Sequence, residues 1–390
     1  MALIQRLSPI TDRLAHILAA KRARQALAAK WSVGKPTLAI YFGGTASDLY
    51  QIRQWLPVFE QFKNEMPTVV LMKDSVAALE LAKTSRLPVR LAGSADAIEP
   101  LTVEWGLQAM FYVNNNLSNF SVLRIPNVRH IHLSHGESEK ASMTSNQLKA
   151  YDFCFVAGQA AADRIMSSLS LFDPSQLKLV GRPQLDWLVN ASRLPTPPDR
   201  KTVLYAPTWE GDRPAMAYSS VGGTGEAWVT SILAESSLRL IYRPHPKTGT
   251  RSPAVRKADL RIRAEIKEAN RESSAMGHLV DTSNDCNSAM ISADVAIFDV
   301  SAMAMDFSVL NRPYFVSVPA VLEDAASRSA MWEAAQPLQI AGQQGIGPAV
   351  IEALRQGPPK DAGAFVRRHF GDASKSGRVE IFRSAILDAL

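Results

Sequence analysis

The chain has 390 residues and a net charge of +6, from 43 Lys and Arg against 37 Asp and Glu. That length suits two or three domains, and 46% hydrophobic with 21% charged residues excludes a disordered chain. No run approaches the roughly 18 apolar residues of a spanning helix, and only Cys154 and Cys286 are present, which excludes a disulfide framework and suits a reducing cytoplasm.

Residues 1–30 carry Arg6, Arg13, Lys21, Arg22, Arg24 and Lys30 against Asp12 alone, so they hold five of the six surplus positive charges. Met1–Arg13 lacks an apolar core followed by a small-residue cleavage site and does not read as a secretory signal. Ser8-Pro9 reads as a helix start, and Ile10, Leu14, Ile17 and Leu18 recur at helical spacing. Two readings fit this segment. It is a basic amphipathic helix on an anionic membrane surface, or a leading helix packed on the body with its basic face in water. The bases lack interleaved aromatics, so nucleic acid is not expected as a partner.

Beyond it, apolar runs alternate with helical patterns. Strands are predicted at Thr37–Phe42, Thr68–Met72, Pro88–Leu91, Ala109–Val113, Val128–Leu133, Asp152–Val156 and Leu177–Val180, with helices such as Asp48–Lys63 and Ala160–Leu169 between them. After the proline-rich Arg193–Asp199 segment come Val203–Ala206, Arg239–Tyr242, His278–Val280, Val295–Phe298 and Tyr314–Val318. The alternation predicts an α/β chain of two Rossmann-like domains facing one cleft. The expected boundaries are a leading helix over 1–30, domains over 31–192 and 200–355, and a helical tail over 360–390, in which Val379, Phe382, Ile386 and Leu390 share a face.

In such sheets ligands bind beyond the carboxyl ends of the strands, so polar residues there are the candidates. Ser134-His135-Gly136 follows one strand, and an imidazole at that place can act as a general base. His130 and His132 share a strand face and read as structural. Pro207-Thr208-Trp209 follows another strand. Arg243-Pro244-His245-Pro246-Lys247 presents a guanidinium and an imidazolium on a proline-fixed backbone, which suits a diphosphate. Ser301, after Asp299, reads as a helix N-cap with free N–H groups beyond it, and Asp306 as a solvated helix charge. Gly222-Gly223-Thr224-Gly225 lacks the Lys-Ser/Thr ending of a phosphate loop and reads as a flexible loop. No metal cluster is visible, so cationic side chains are expected to take a divalent ion's part. Magnesium stays open, because it needs few protein ligands.

Five segments together resemble the CDP-glycerol glycerophosphotransferase family of teichoic acid synthesis. They are His135-Gly136 with Lys140, Gly181-Arg182-Pro183-Gln184-Leu185-Asp186, Tyr205-Ala206-Pro207-Thr208-Trp209, Arg243-Pro244-His245-Pro246, and Asp299-Val300-Ser301-Ala302 followed by Asp306 and Asn311-Arg312-Pro313. The resemblance implies a GT-B fold, with the nucleotide held mainly by the second domain and peripheral attachment to the inner face of the cell membrane. It implies a CDP-alcohol donor, a lipid-linked glycan or polymer acceptor, His135 and His245 as catalytic residues, and Lys140, Thr208, Arg243, Asp299, Ser301 and Asp306 around the substrate. The chain departs from the family pattern at Glu137-Ser138-Glu139, at Ala302 and at Glu210. A nucleotide-sugar glycosyltransferase and a non-catalytic nucleotide or glycan binder are the rival expectations.

Overall fold

Among the described residues, thirteen short strands build two sheets in which every pairing is parallel, and the central ones, such as Leu38–Phe42, Ala109–Tyr112 and Val295–Phe298, are apolar and buried on both faces. Such strands need helices on either side of the sheet. This computed structural model describes residues 20–28, 34–211, 217–318, 335–339, 345–358, 360–372 and 377–390. The first sheet holds β1 (Leu38–Phe42), β2 (Thr68–Met72), β3 (Val89–Leu91), β4 (Ala109–Tyr112), β5 (Arg129–His132), β6 (Phe153–Val156) and β7 (Leu177–Leu179), in the order β3-β2-β1-β4-β5-β6-β7. The second holds β8 (Lys201–Ala206), β9 (Leu238–Tyr242), β10 (Leu279–Val280), β11 (Val295–Phe298), β12 (Tyr314–Val318) and β13 (Gln336–Gln339), in the order β10-β9-β8-β11-β12-β13. Both orders reverse direction after their third strand, so each sheet has a switch point where ligands gather.

Alternation along each strand feeds two cores per sheet. In β1, Leu38, Ile40 and Phe42 join one core while Ala39 and Tyr41 join the other. The C-terminal helix Arg378–Ala389 places Phe382 and Ile386, both fully buried, in the first sheet's core against Phe59 and Phe62. The helix Ala362–Phe370 puts Phe365, Val366 and Phe370 into the second sheet's core. The end of the chain therefore crosses back and ties both sheets together.

Residues 20–28 are helical, with Ala23 and Leu27 buried in the first core and Lys21, Arg22 and Arg24 exposed. The apolar positions Ile10, Leu14, Ile17 and Leu18 lie outside the described residues.

Three elements differ from the sequence expectation. The helix predicted over Asp48–Lys63 is broken into Leu49–Arg53 and Leu56–Gln61, because Pro57 lacks a donor and favours a fresh first turn. β13 is absent from the sequence expectation, because its Gln-Pro-Leu-Gln sequence has no strand-like alternation; among the described residues it is the edge strand beside β12. The Gly222–Gly225 tract is a packed turn entering the helix Gly225–Leu233. A Cβ on Gly225 would lie 2.4 Å from the Tyr205 hydroxyl, so that glycine permits close packing.

Candidate active site

The carboxyl ends of the two sheets face each other, and the residues singled out above meet in the cleft between them. Ser134 holds a left-handed backbone (φ 61°), a conformation costly for a non-glycine residue and common at functional turns. Two side chains from the break in the predicted helix fix that turn. Trp55 Nε1 donates to the Ser134 carbonyl at 2.7 Å, and Gln54 Nε2 donates to the His135 carbonyl at 2.5 Å. Gly136 packs so closely on the second domain that a Cβ there would lie 2.6 Å from the Ala302 methyl. Ala302 is small enough for this contact.

The His135 ring has one nitrogen, Nδ1, that is buried without a hydrogen-bond partner. Burial, with the Lys140, Arg182 and Lys247 charges behind it, pushes its pKa down to about 4, against a weaker upward pull from a hydrogen bond to the Val113 backbone. At neutral pH the ring is uncharged, with a free nitrogen able to receive a proton.

His245 faces it from beyond β9. Its ring stacks on Trp209 at 6.2 Å between centroids, and Nδ1 accepts from the Lys247 backbone N–H at 3.1 Å. That bond leaves the proton of the neutral ring on Nε2. Burial first, then Lys140 and the other nearby cations, pushes the pKa to about 3. The expected imidazolium is therefore corrected: a desolvated ring among cations stays neutral and is a plain N–H donor. Arg243 is also differently placed from the sequence expectation. Its guanidinium is spent on Asp281 and on the Ser283 carbonyl and hydroxyl.

Three further contacts cross the cleft. Lys140 Nζ donates to Thr208 Oγ1 at 3.2 Å and sits over the Tyr218 ring. Burial lowers its pKa to about 8, against the opposing pull of Asp299. Lys247 pairs with Asp48, whose pKa is held down by that contact against the upward push of burial. Arg182 grips Asp306 with Nε at 2.5 Å and Nη2 at 2.8 Å, and also donates to Gln54 at 3.0 Å. Asp306 is 9% exposed, so the solvated helix charge is corrected to one arm of a buried ion pair, its partner an arginine 124 residues away.

Asp299 is fully buried at the switch point of the second sheet. It accepts from the Thr208 N–H at 2.8 Å, the Ser220 N–H at 3.1 Å and the Ser317 hydroxyl, which locks the loop after β8 in place. Ser301 caps the helix Ala302–Ser308 through a 3.4 Å bond from the Ala304 N–H. Glu210 accepts from the backbone N–H groups of Gly249, Arg251 and Ser252, anchoring the start of the helix Pro253–Glu272. His130 is satisfied on both ring nitrogens, by the Tyr112 hydroxyl and the Ile125 carbonyl. Among the described residues, no group of three His, Cys, Asp or Glu is placed to hold a metal ion, and no helix is long and apolar enough to cross a membrane.

Sequence reasoning missed Tyr50, Gln54 and Asp48, which lie on the broken helix and carried no motif. The Tyr50 ring meets both histidines edge-on, and it is the aromatic wall between them.

Solved structures of the same fold span nearly the whole chain. The wall teichoic acid polymerase TagF matches at 14% identity over 99% of this chain and 97% of its own, with a TM-score of 0.59. The S. aureus MnaA–UDP complex matches at 12% identity over 91% and 98%, with a TM-score of 0.60. A Rickettsia africae glycosyltransferase matches at 11% identity over 91% and 98%, with a TM-score of 0.54. No curated protein matches the sequence. The model of one family, CDP-glycerol:poly(glycerophosphate) glycerophosphotransferase, matches residues 94–323, a span running from the first sheet through His135, His245 and Asp299. The chain belongs to that family and is a GT-B transferase of the CDP-glycerol glycerophosphotransferase type.

Proposed function

We propose that this enzyme moves a phosphoalcohol, glycerol phosphate or a close relative, from a CDP-alcohol to a hydroxyl of a glycan or growing teichoic-acid-type polymer, with CMP leaving. The observation that carries the reading is the buried, unpartnered Nδ1 of a neutral His135, on a turn whose Gly136 packs against Ala302 of the second domain and beside a Tyr50 ring that also meets His245. The TagF structures include a variant soaked with CDPG, which supports a donor of that kind.

The acceptor O–H gives its proton to His135 Nδ1, and its oxygen attacks the phosphorus bearing the alcohol. The bond from that phosphorus to the CMP oxygen breaks, and CMP leaves with the electron pair. His245 Nε2–H donates to a phosphate oxygen, while Lys140 stabilises the charge that develops on the diphosphate and Lys247, paired with Asp48, ties the two domains together beside it. Thr208, held by Asp299, fixes the Lys140 amine, and Ser301 caps the helix whose Ala302 packs on Gly136. Arg243 holds the His245 loop through Asp281 and Ser283.

Burial is the largest cause of the low His135 pKa and the nearby cations add to it, so a bound diphosphate offsets the cations' share and makes the ring a stronger base than it is in the empty cleft. Calorimetric titration of the protein with CDP-glycerol, CMP and UDP-N-acetylglucosamine tests the donor class. CDP-glycerol is expected to bind more tightly than CMP, and preference for the UDP-sugar would overturn the reading in favour of a glycosyltransferase.

A further inference from the structure

The first sheet has a pocket of its own at the carboxyl ends of β5, β6 and β7, under the Ser134–Gly136 turn. It is lined by His132, Ser134, Glu137, Phe155, Arg164 and Gln184, among others. Three of its lining residues each carry a side-chain nitrogen buried without a partner: His132 Nε2, Arg164 Nε and Gln184 Nε2. His132 is 6% exposed and Gln184 9%. Buried polar atoms are nearly always hydrogen-bonded in folded proteins, so three orphans lining one pocket mark a place where a ligand completes the bonding. The donor machinery uses none of the three atoms.

The charges define the ligand. Arg164 is paired with Glu137, and Arg182 beside it with Asp306. No net positive charge is left to hold a phosphate. What remains is a set of N–H donors and an imidazole next to the apolar walls of Phe155 and Ile165. Such a lining fits hydroxyl oxygens on a carbon skeleton.

We propose that this pocket binds an uncharged polyhydroxyl group, a polyol or a sugar, and that it seats the end of the acceptor below His135. The placement as acceptor rests on the transfer reading above; the binding itself does not. His132 Nε2, Arg164 Nε and Gln184 Nε2 hydrogen-bond the ligand's oxygens, which leaves one hydroxyl free towards the His135 turn.

Saturation-transfer NMR on the full chain without nucleotide tests the binding, using ribitol, methyl α-glucoside and glycerol 3-phosphate as probes. Ribitol or methyl α-glucoside is expected to receive saturation, and whichever binds identifies the source as a polyol chain or a glycan. His132→Phe, which keeps the ring volume, and Ala157→Leu, which fills the pocket without touching its polar atoms, should each weaken that signal at least tenfold while CDP-glycerol still binds. Silence of both neutral probes on the parent protein would overturn the proposal. So would unchanged binding in Ala157→Leu, or displacement of the neutral probe by glycerol 3-phosphate at equal concentration. Polyol binding without CDP-glycerol binding would remove the donor reading and leave the pocket standing.

Discussion

Tyr50 of the first domain meets His245 of the second edge-on, with ring centroids 5.1 Å apart. The same ring lies 6.1 Å from His135, so one aromatic side chain shields both histidines from water. Shielding of this kind lowers an imidazole pKa, because the charged form loses its solvation. Tyr50→Ala should therefore let the histidine pKa values rise towards 6.5 and move the acid limb of the kcat/KM profile to higher pH, with kcat down about 10-fold or more. Tyr50→Phe keeps the ring and should retain the parent profile. An unshifted profile in Tyr50→Ala would show that the ring only packs.

Arg182 and Asp306 bind the domains through a buried pair, 7% and 12% exposed at their side chains. Arg182→Met leaves the carboxylate buried and unpaired, which should cost about 3–5 kcal/mol in chemical denaturation. Arg182→Met combined with Asp306→Leu should recover most of that loss. Activity should remain low in both, because Gln54 loses its Arg182 partner and with it the hold on the His135 carbonyl. A double variant no more stable than the single one would contradict this.

Strands such as β2 and β11 are legible residue for residue, because a fully buried parallel strand reads as a nearly continuous apolar run. The face of the C-terminal helix is legible through Phe382 and Ile386, but its partner is not. Nothing in the periodicity says that this helix completes the first sheet's core, more than 300 residues back along the chain. The site divides in the same way. His135, Thr208 and Asp299 stand where a strand end and a motif coincide. Tyr50 and Gln54 matter only because folding brings a motif-free helix beside a turn some 80 residues later. Arg243 reads as a phosphate ligand until Asp281, 38 residues on, claims its charge.

His132, His135, His245 and His278 are all held well below their ordinary value of 6.5, at about 3, 4, 3 and 4, chiefly by burial. Between about pH 4 and 6.5 the unfolded chain binds protons that the folded chain does not, so stability is complete above that window and is lost as pH falls through it. Calorimetric unfolding at pH 5.5 in buffers of differing ionisation enthalpy should show uptake of about 3–4 protons. Uptake of fewer than one would mean that these rings are hydrated in the folded protein.

Leu27, 4% exposed, holds the helical residues 20–28 on the first core. Leu27→Asp should destabilise by about 2–4 kcal/mol, read as a lower Tm, whereas Lys21→Glu on the exposed face should leave Tm unchanged. Equal Tm values for Leu27→Asp and the parent would mean that this segment does not need the core.

The central claim is that a phosphoalcohol, and not a sugar, is moved by a reaction that His135 starts. It is tested most directly by incubating the enzyme with a soluble polyol-phosphate oligomer and either CDP-glycerol or UDP-N-acetylglucosamine, then identifying the released nucleotide and the mass added to the acceptor. The expected result is CMP with an oligomer heavier by glycerol phosphate, and a fall of about 10²–10⁴-fold in rate for His135→Ala with CDP-glycerol affinity unchanged. Release of UDP with a sugar added, or undiminished turnover by His135→Ala, would contradict the account.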